Sequence, residues 1–361
     1  MTALNDAGAR VAIRTLTAAL DVAAARTPTG ARGYRIGVDR WTLRMTPDSG
    51  VERLLDACAP LRTRDAGAGE PELFIWNDAV DRVALPDSAV LRREFAPEAG
   101  LGGYSDAASH AFYQPDAGVL SVLDVDRRRA HWWLRDVSTA PYFERAAPFK
   151  HILQWWAAAR GGALLHSAAI AQGTGDAARG VLISGPSGSG KSSTALACLA
   201  AGLGFTSDDY VIVDGGETPR VYLAYSTAKV VRGDLPRFAE YSAHFRNLAE
   251  VEEKPMMFVD QFAPASIRTA FAPIAIVLPQ VAHARRTRFV PIRAAEMLRA
   301  LAPSSMLLFP LAGARSLQRM AQLCMRLPCL RAELADDARD VGEAFASLIA
   351  EPARLGMRAV A

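Results

Sequence analysis

One stretch limits what this chain can fold into more than any other: GVLISGPSGSGKSSTALACLAAG, Gly180 to Gly202. Val181 to Ser184 is apolar and β-prone, and Thr194 to Ala201 is made of helix formers, so the stretch reads as strand, glycine-rich loop, helix. Between them Gly185-Pro186-Ser187-Gly188-Ser189-Gly190-Lys191-Ser192 completes a Walker A pattern, and Ser193 follows it. Glycines let successive backbone N–H groups curl round a phosphate, and the helix behind adds its positive N-terminal end to the same anion. Lys191 is expected to reach the β and γ phosphates and Ser192 to offer its hydroxyl to Mg²⁺. ATP and Mg²⁺ are therefore the expected cofactors.

At 361 residues the chain has room for two domains, each with its own core. With 50% hydrophobic and 22% charged residues it is globular in composition, and a net charge of +3 is too small to argue for nucleic acid or an anionic membrane. No apolar run reaches the roughly 18 residues of a membrane span, and no basic-then-apolar leader opens the sequence. Cys58, Cys198, Cys324 and Cys329 are too scattered for a disulfide framework, which favours a reducing, cytoplasmic setting.

Upstream of the loop, periodicity predicts a helix over 3–25, strands over 34–45 and 72–76, a helix over 50–59, and further strands at 88–93 and 118–124. Arg127 to Leu134 is expected to pair with the last of these as a hairpin, its arginines solvated. Pro148 to Arg160 reads as a helix carrying Trp155 and Trp156. None of this carries a catalytic pattern, and the expected domain limit lies near residue 145.

Two further features flank the loop. Ala163 to Ile170 is a strand expected to pair with the Walker strand, and it contains His166. After the Walker helix a short strand ends at Ser207-Asp208-Asp209. Adjacent carboxylates repel unless a cation is near, and side chains of successive extended residues point to opposite sides, which allows two jobs. One is suited to the metal and the other to the proton of an acceptor hydroxyl. Lys229, Arg232 and Lys254 are candidates for the extra cation that a transferring phosphoryl group requires, with Arg246 behind them.

His166, GPSGSGKS and SDD, in this order, resemble the P-loop kinase domain of the HPr kinase/phosphorylase family, including its relatives in peptide natural-product (lasso peptide) gene clusters. The resemblance spans about Leu164 to Val213. It implies Asp208 as catalytic base, Asp209 as metal-side carboxylate, His166 as the histidine assisting the first aspartate, and self-association. The family's later Glu-x-Arg-Gly-x-Gly stretch has only Val230-Val231-Arg232-Gly233-Asp234 to match it here. That favours the peptide-modifying relatives and the forward reaction.

The expected fold is α/β: a mixed α/β domain over 1–145, then a P-loop kinase domain of the HPr kinase type over 146–361. The expected activity is transfer of the γ-phosphoryl group of Mg²⁺-ATP to a serine hydroxyl of a peptide or protein. The alternatives are a small-molecule kinase and a non-catalytic, nucleotide-dependent peptide-binding protein. Neither nucleic acid nor a membrane is an expected partner.

Overall fold

The structure, a computed structural model, describes residues 6–67, 70–83, 85, 103–105, 108–307 and 313–352. These divide into two compact units, one of residues 6–56 and Arg62–Ala159, the other of Ala57–Leu61, 160–307 and 313–352. Both are mixed α/β. The strand read at 88–93 lies outside the described residues.

The first unit is a seven-stranded mixed sheet. Its strands are β1 (Gly30–Ile36), β2 (Asp39–Met45), β3 (Glu72–Asn77), β4 (Gly103–Ser105), β5 (Ser109–Gln114), β6 (Val119–Asp124) and β7 (Arg129–Leu134), in the order β1-β2-β3-β7-β6-β5-β4. Helix α1 (Asp6–Arg26) packs Ile13, Leu16 and Leu20 against Phe74, Trp76 and Trp133 of the sheet. The expected β6–β7 hairpin is present in register from Val119↔Leu134 to Asp124↔Arg129. Its arginines are not merely solvated: Arg127 and Arg129 both pair with Asp21 of α1, and Arg129 also with Glu72. Helix α2 (Lys150–Ala159) belongs to this unit, so the division falls after Ala159 and not near 145. The reason lies in its tryptophans. Trp156 donates its indole N–H to Asp39 at 2.8 Å and meets Trp41 edge-on at 5.0 Å, which ties the helix to β2.

The second unit holds the motifs. Its strands are β8 (Ala163–Gln172), β9 (Arg179–Ser184), β10 (Gly204–Ser207), β11 (Tyr210–Val213), β12 (Val221–Leu223), β13 (Thr227–Lys229), β14 (Met256–Phe258), β15 (Ala270–Ala284), β16 (Arg288–Pro291) and β17 (Cys329–Ala335). The main sheet runs β10-β8-β11-β12-β15-β17-β16, with β9 paired to both β8 and β15, while β13 and β14 pair separately. Strands β9, β15 and β17 are mutually parallel, and β8 is antiparallel to β9, β10 and β11. The carboxyl ends of β9, β10, β15 and β17 therefore share one edge, where ligands bind in open α/β sheets.

Helices α3 (Lys191–Ala200) and α6 (Ala338–Ala350) cover one face, their Leu196, Val341 and Phe345 packing with Ile183 and Val277. Helices α4 (Ala294–Leu307) and α5 (Gly313–Arg326) cover the other, with Met297, Leu301, Met320 and Leu323 against Leu182 and Ile276. Covering on both faces is what the unbroken apolar run of β9 and β15 requires. Cys58, Cys198, Cys324 and Cys329 are buried free thiols. Among the described residues no helix is long and apolar enough to cross a membrane.

Candidate functional site

The glycine-rich loop leaves β9 at Ser184 and enters α3 at Lys191, with Gly190 as the residue before the helix at φ 102°. That conformation suits glycine alone, and a Cβ there would stand 3.1 Å from Leu334 Cδ1. The Lys191 ammonium folds back onto its own loop, donating to the Gly185 carbonyl at 2.8 Å and the Pro186 carbonyl at 3.0 Å. It is 8% exposed. Burial holds its pKa below the ordinary lysine value against the pull of Asp208 and Asp209, so an incoming anion relieves a standing cost.

The two aspartates sit in the break between β10 and β11, both of which run along β8. Ser207 shapes that break: its hydroxyl donates to the Tyr210 carbonyl at 2.7 Å and accepts from the backbone N–H of Asp209 and of Tyr210. The carboxylates consequently have different surroundings. Asp208 is 2% exposed; its Oδ2 accepts from the Lys229 backbone N–H at 2.7 Å, and its Oδ1 has no hydrogen-bond partner. Burial, then the charge of Asp209, push its pKa up, while the nearby Ser192 hydroxyl favours its charged form. Asp209 is half-buried, its side chain 17% exposed, and the Lys229 ammonium and His166 outweigh its partial burial and hold its pKa far below the usual carboxylate range.

His166 stands opposite Tyr210 in the β8–β11 ladder, and its Nε2 lies 2.9 Å from Asp209 Oδ1. An ionised carboxylate only accepts, so Nε2–H is the donor. The histidine contact thus falls on the second aspartate and not, as the resemblance implies, on the first.

These groups line one cavity of about 480 Å³. Ser187, Gly188, Gly190 and, at the start of α3, Lys191, Ser192 and Ser193 form its loop side, and Asp208, Asp209, His166, Lys229 and Lys254 reach it from the sheet and the following segments. Arg232 does not line it. Its guanidinium donates to the carbonyls of Asn247, Leu248, Glu250 and Glu253, which makes it a clamp on a backbone loop. Arg246 is likewise held by Gln261. Four charged or titratable cavity residues are not candidates on the sequence: Asp234, Arg237, His283 and Asp336. Asp234 accepts from the Ser193 hydroxyl at 3.3 Å, 41 residues away, a pairing no local pattern announces.

Among the described residues no three His, Cys, Asp or Glu side chains gather to hold a metal. The donor set is instead one hydroxyl, Ser192, beside one carboxylate with an unpartnered oxygen, Asp208. That is what a Mg²⁺ ion takes from protein when phosphates and waters supply the remaining ligands.

Among solved structures, part of the chain is similar to the HPr(Ser) kinase/phosphatase from Coxiella burnetii, at 11% identity and a TM-score of 0.28, over 54% of this chain and 97% of that chain. A likeness of that degree carries no functional weight. No family model matches the sequence, and no curated protein matches it.

Proposed function

We propose that this chain transfers the terminal phosphoryl group of a nucleoside triphosphate to a hydroxyl, with a serine of a peptide or protein as the acceptor. One observation carries the reading: the glycine-rich loop, Lys191, two differently solvated aspartates and a second cation, Lys229, meet in one cavity. Binding alone needs the loop and the lysine, but not a second carboxylate fixed by histidine and lysine.

Ser192 and Asp208 are the residues that would hold Mg²⁺, which when bound neutralises charge on the phosphoryl oxygens. Lys191 exchanges its loop carbonyls for phosphate oxygens, and Lys254 adds positive charge at the same cavity. Asp209 is the carboxylate left for the acceptor. It is ionised, it is oriented by His166, and a loose phosphoryl-transfer transition state demands little basicity of the group that takes the hydroxyl proton. This assigns the aspartates in the reverse of the order that the family resemblance implies, because the Ser192 hydroxyl stands beside Asp208 and the imidazole beside Asp209.

The test is mass spectrometry of serine-containing peptides, proteins and free hydroxy metabolites incubated with the purified chain and Mg²⁺-ATP. Addition of one phosphate to a serine peptide, abolished by Asp209→Asn, is the expected result. Phosphate on a small metabolite alone would move the acceptor to that class, and no transfer despite firm nucleotide binding would remove catalysis from the reading.

A further inference from the structure

The cavity extends beyond what phosphates need. Past Gly190 its wall is made by the carboxyl ends of β15 and β17: Val281 and His283 from one strand, Leu334 and the following Asp336 from the other. Val281 and Leu334 are the side chains nearest to where a Cβ on Gly190 would lie, 3.7 Å and 3.1 Å away, so this wall begins where the phosphate loop ends. The pairing of β15 with β17 slips between Val281 and Ala284, and within the slip His283 adopts φ 49°. Bulges and left-handed non-glycine residues recur where a side chain is re-aimed at a ligand. Here the bulge sets His283 Nδ1 2.8 Å from Asp336 Oδ1, donating to it. Arg237 holds the far side by donating to the Asp336 carbonyl at 3.3 Å. Both side chains of the pair remain more than two-thirds exposed, 77% and 68%, and so stay accessible to a ligand.

We propose that this wall is the nucleoside subsite: Asp336 accepts hydrogen bonds from the ribose hydroxyls, and the base lies along Val281 and Leu334 with the His283 ring at its edge. The chemistry is that of a ribonucleoside. A carboxylate matches a vicinal diol, an apolar wall matches a base face, and both stand in the same cavity as the phosphate loop. This inference rests on the nucleotide-binding reading above and adds to it the residues that distinguish a nucleotide from a bare polyphosphate.

The experiment measures equilibrium binding of ATP, 2′,3′-dideoxy-ATP and inorganic tripolyphosphate, each with Mg²⁺, to the full chain. The variants are Asp336→Ala, His283→Ala and Lys191→Ala, with circular dichroism to verify folding. The unaltered chain is expected to bind ATP more tightly than the other two probes. Asp336→Ala is expected to weaken ATP about tenfold, to leave tripolyphosphate unchanged and to erase the preference for ribose hydroxyls. His283→Ala weakens ATP and the dideoxy analogue alike. Equal binding of ATP and tripolyphosphate, or an Asp336→Ala variant that treats all three probes as the parent does, overturns the subsite and leaves the phosphate loop standing. Failure of the parent to bind any of the three, or equal binding by Lys191→Ala, overturns the nucleotide reading and this subsite with it.

Discussion

Lys229 holds Asp209 through its ammonium and Asp208 through its backbone N–H, so one residue of a short strand fixes both carboxylates of the site. The two bonds differ in what they do. The N–H bond orients Asp208 without adding charge, whereas the ion pair keeps the half-buried Asp209 ionised.

Removing that cation has a direction that can be worked out. Asp209 has a folded-state pKa below its unfolded value, so its contribution to stability is present above the unfolded value and lost as pH falls through the folded one. Lys229→Met leaves Asp209 the His166 N–H but no ammonium on its other oxygen, and so raises the Asp209 pKa. Stability near neutral pH should fall by about 2–3 kcal/mol, less than the about 3–5 kcal/mol for breaking a fully buried pair, because the lysine side chain is 14% exposed. Urea unfolding across pH checks this: as the solution is acidified below the unfolded Asp value, the parent should lose stability more steeply than the variant, so that the gap between the two narrows. Parallel curves would show that the pair does not control Asp209.

The division of labour between the aspartates separates in kinetics. Asp208→Asn keeps the shape and the acceptance of the Lys229 N–H but loses the charge next to Ser192. It should raise the Mg²⁺ concentration needed for half-maximal nucleotide binding by about tenfold or more, in line with the loss of one charged ligand. Asp209→Asn should leave that titration nearly unchanged and reduce transfer by about 10² to 10⁴, the range for a proton acceptor. If the two variants exchange these signatures, the order implied by the family resemblance is the right one.

How far the sequence carries the site depends on how local each contact is. The loop residues Gly185 to Ser193, with Lys191 at their centre, were legible because phosphate binding is achieved by a contiguous backbone. The same holds for β8, β9 and α3, whose apolar runs and glycine stops are strong signals. Asp208 and Asp209 were legible as a pair, but not their roles, since those depend on a ladder register that sets His166 opposite Tyr210. Arg232 was chosen for its charge, yet its hydrogen bonds go to carbonyls of residues 247–253, a loop with no periodicity to read. His283 and Asp336 were missed for a similar reason. A bulge in β15 and the end of β17 bring together residues 53 positions apart.

Arg232 accordingly tests structure and not chemistry. Arg232→Ala removes donors from four carbonyls and should lower stability by about 1–2 kcal/mol, part of the exposed portion being replaced by water. At a temperature where the variant is fully folded, its affinity for Mg²⁺-ATP should match the parent's. Loss of nucleotide affinity with unaltered thermal unfolding would return Arg232 to the phosphate site.

Gly190 gives the most localised test of the loop. Its φ of 102° lies where a side chain strains the backbone, and an added methyl would also press on Leu334 Cδ1 at 3.1 Å. Gly190→Ala should therefore cost about 1–3 kcal/mol and draw the loop out of the curve that presents its N–H groups. Nucleotide affinity should fall by more than tenfold, because those groups and the helix behind them act together on one anion. Gly175 is the comparison: its φ is 59° and no atom lies within 4 Å of an added Cβ. Gly175→Ala meets backbone strain with no clash, well away from the loop, and should lower stability without altering nucleotide affinity. Equal affinity losses in the two variants would mean that Gly190 acts through general stability and not through the shape of the phosphate loop.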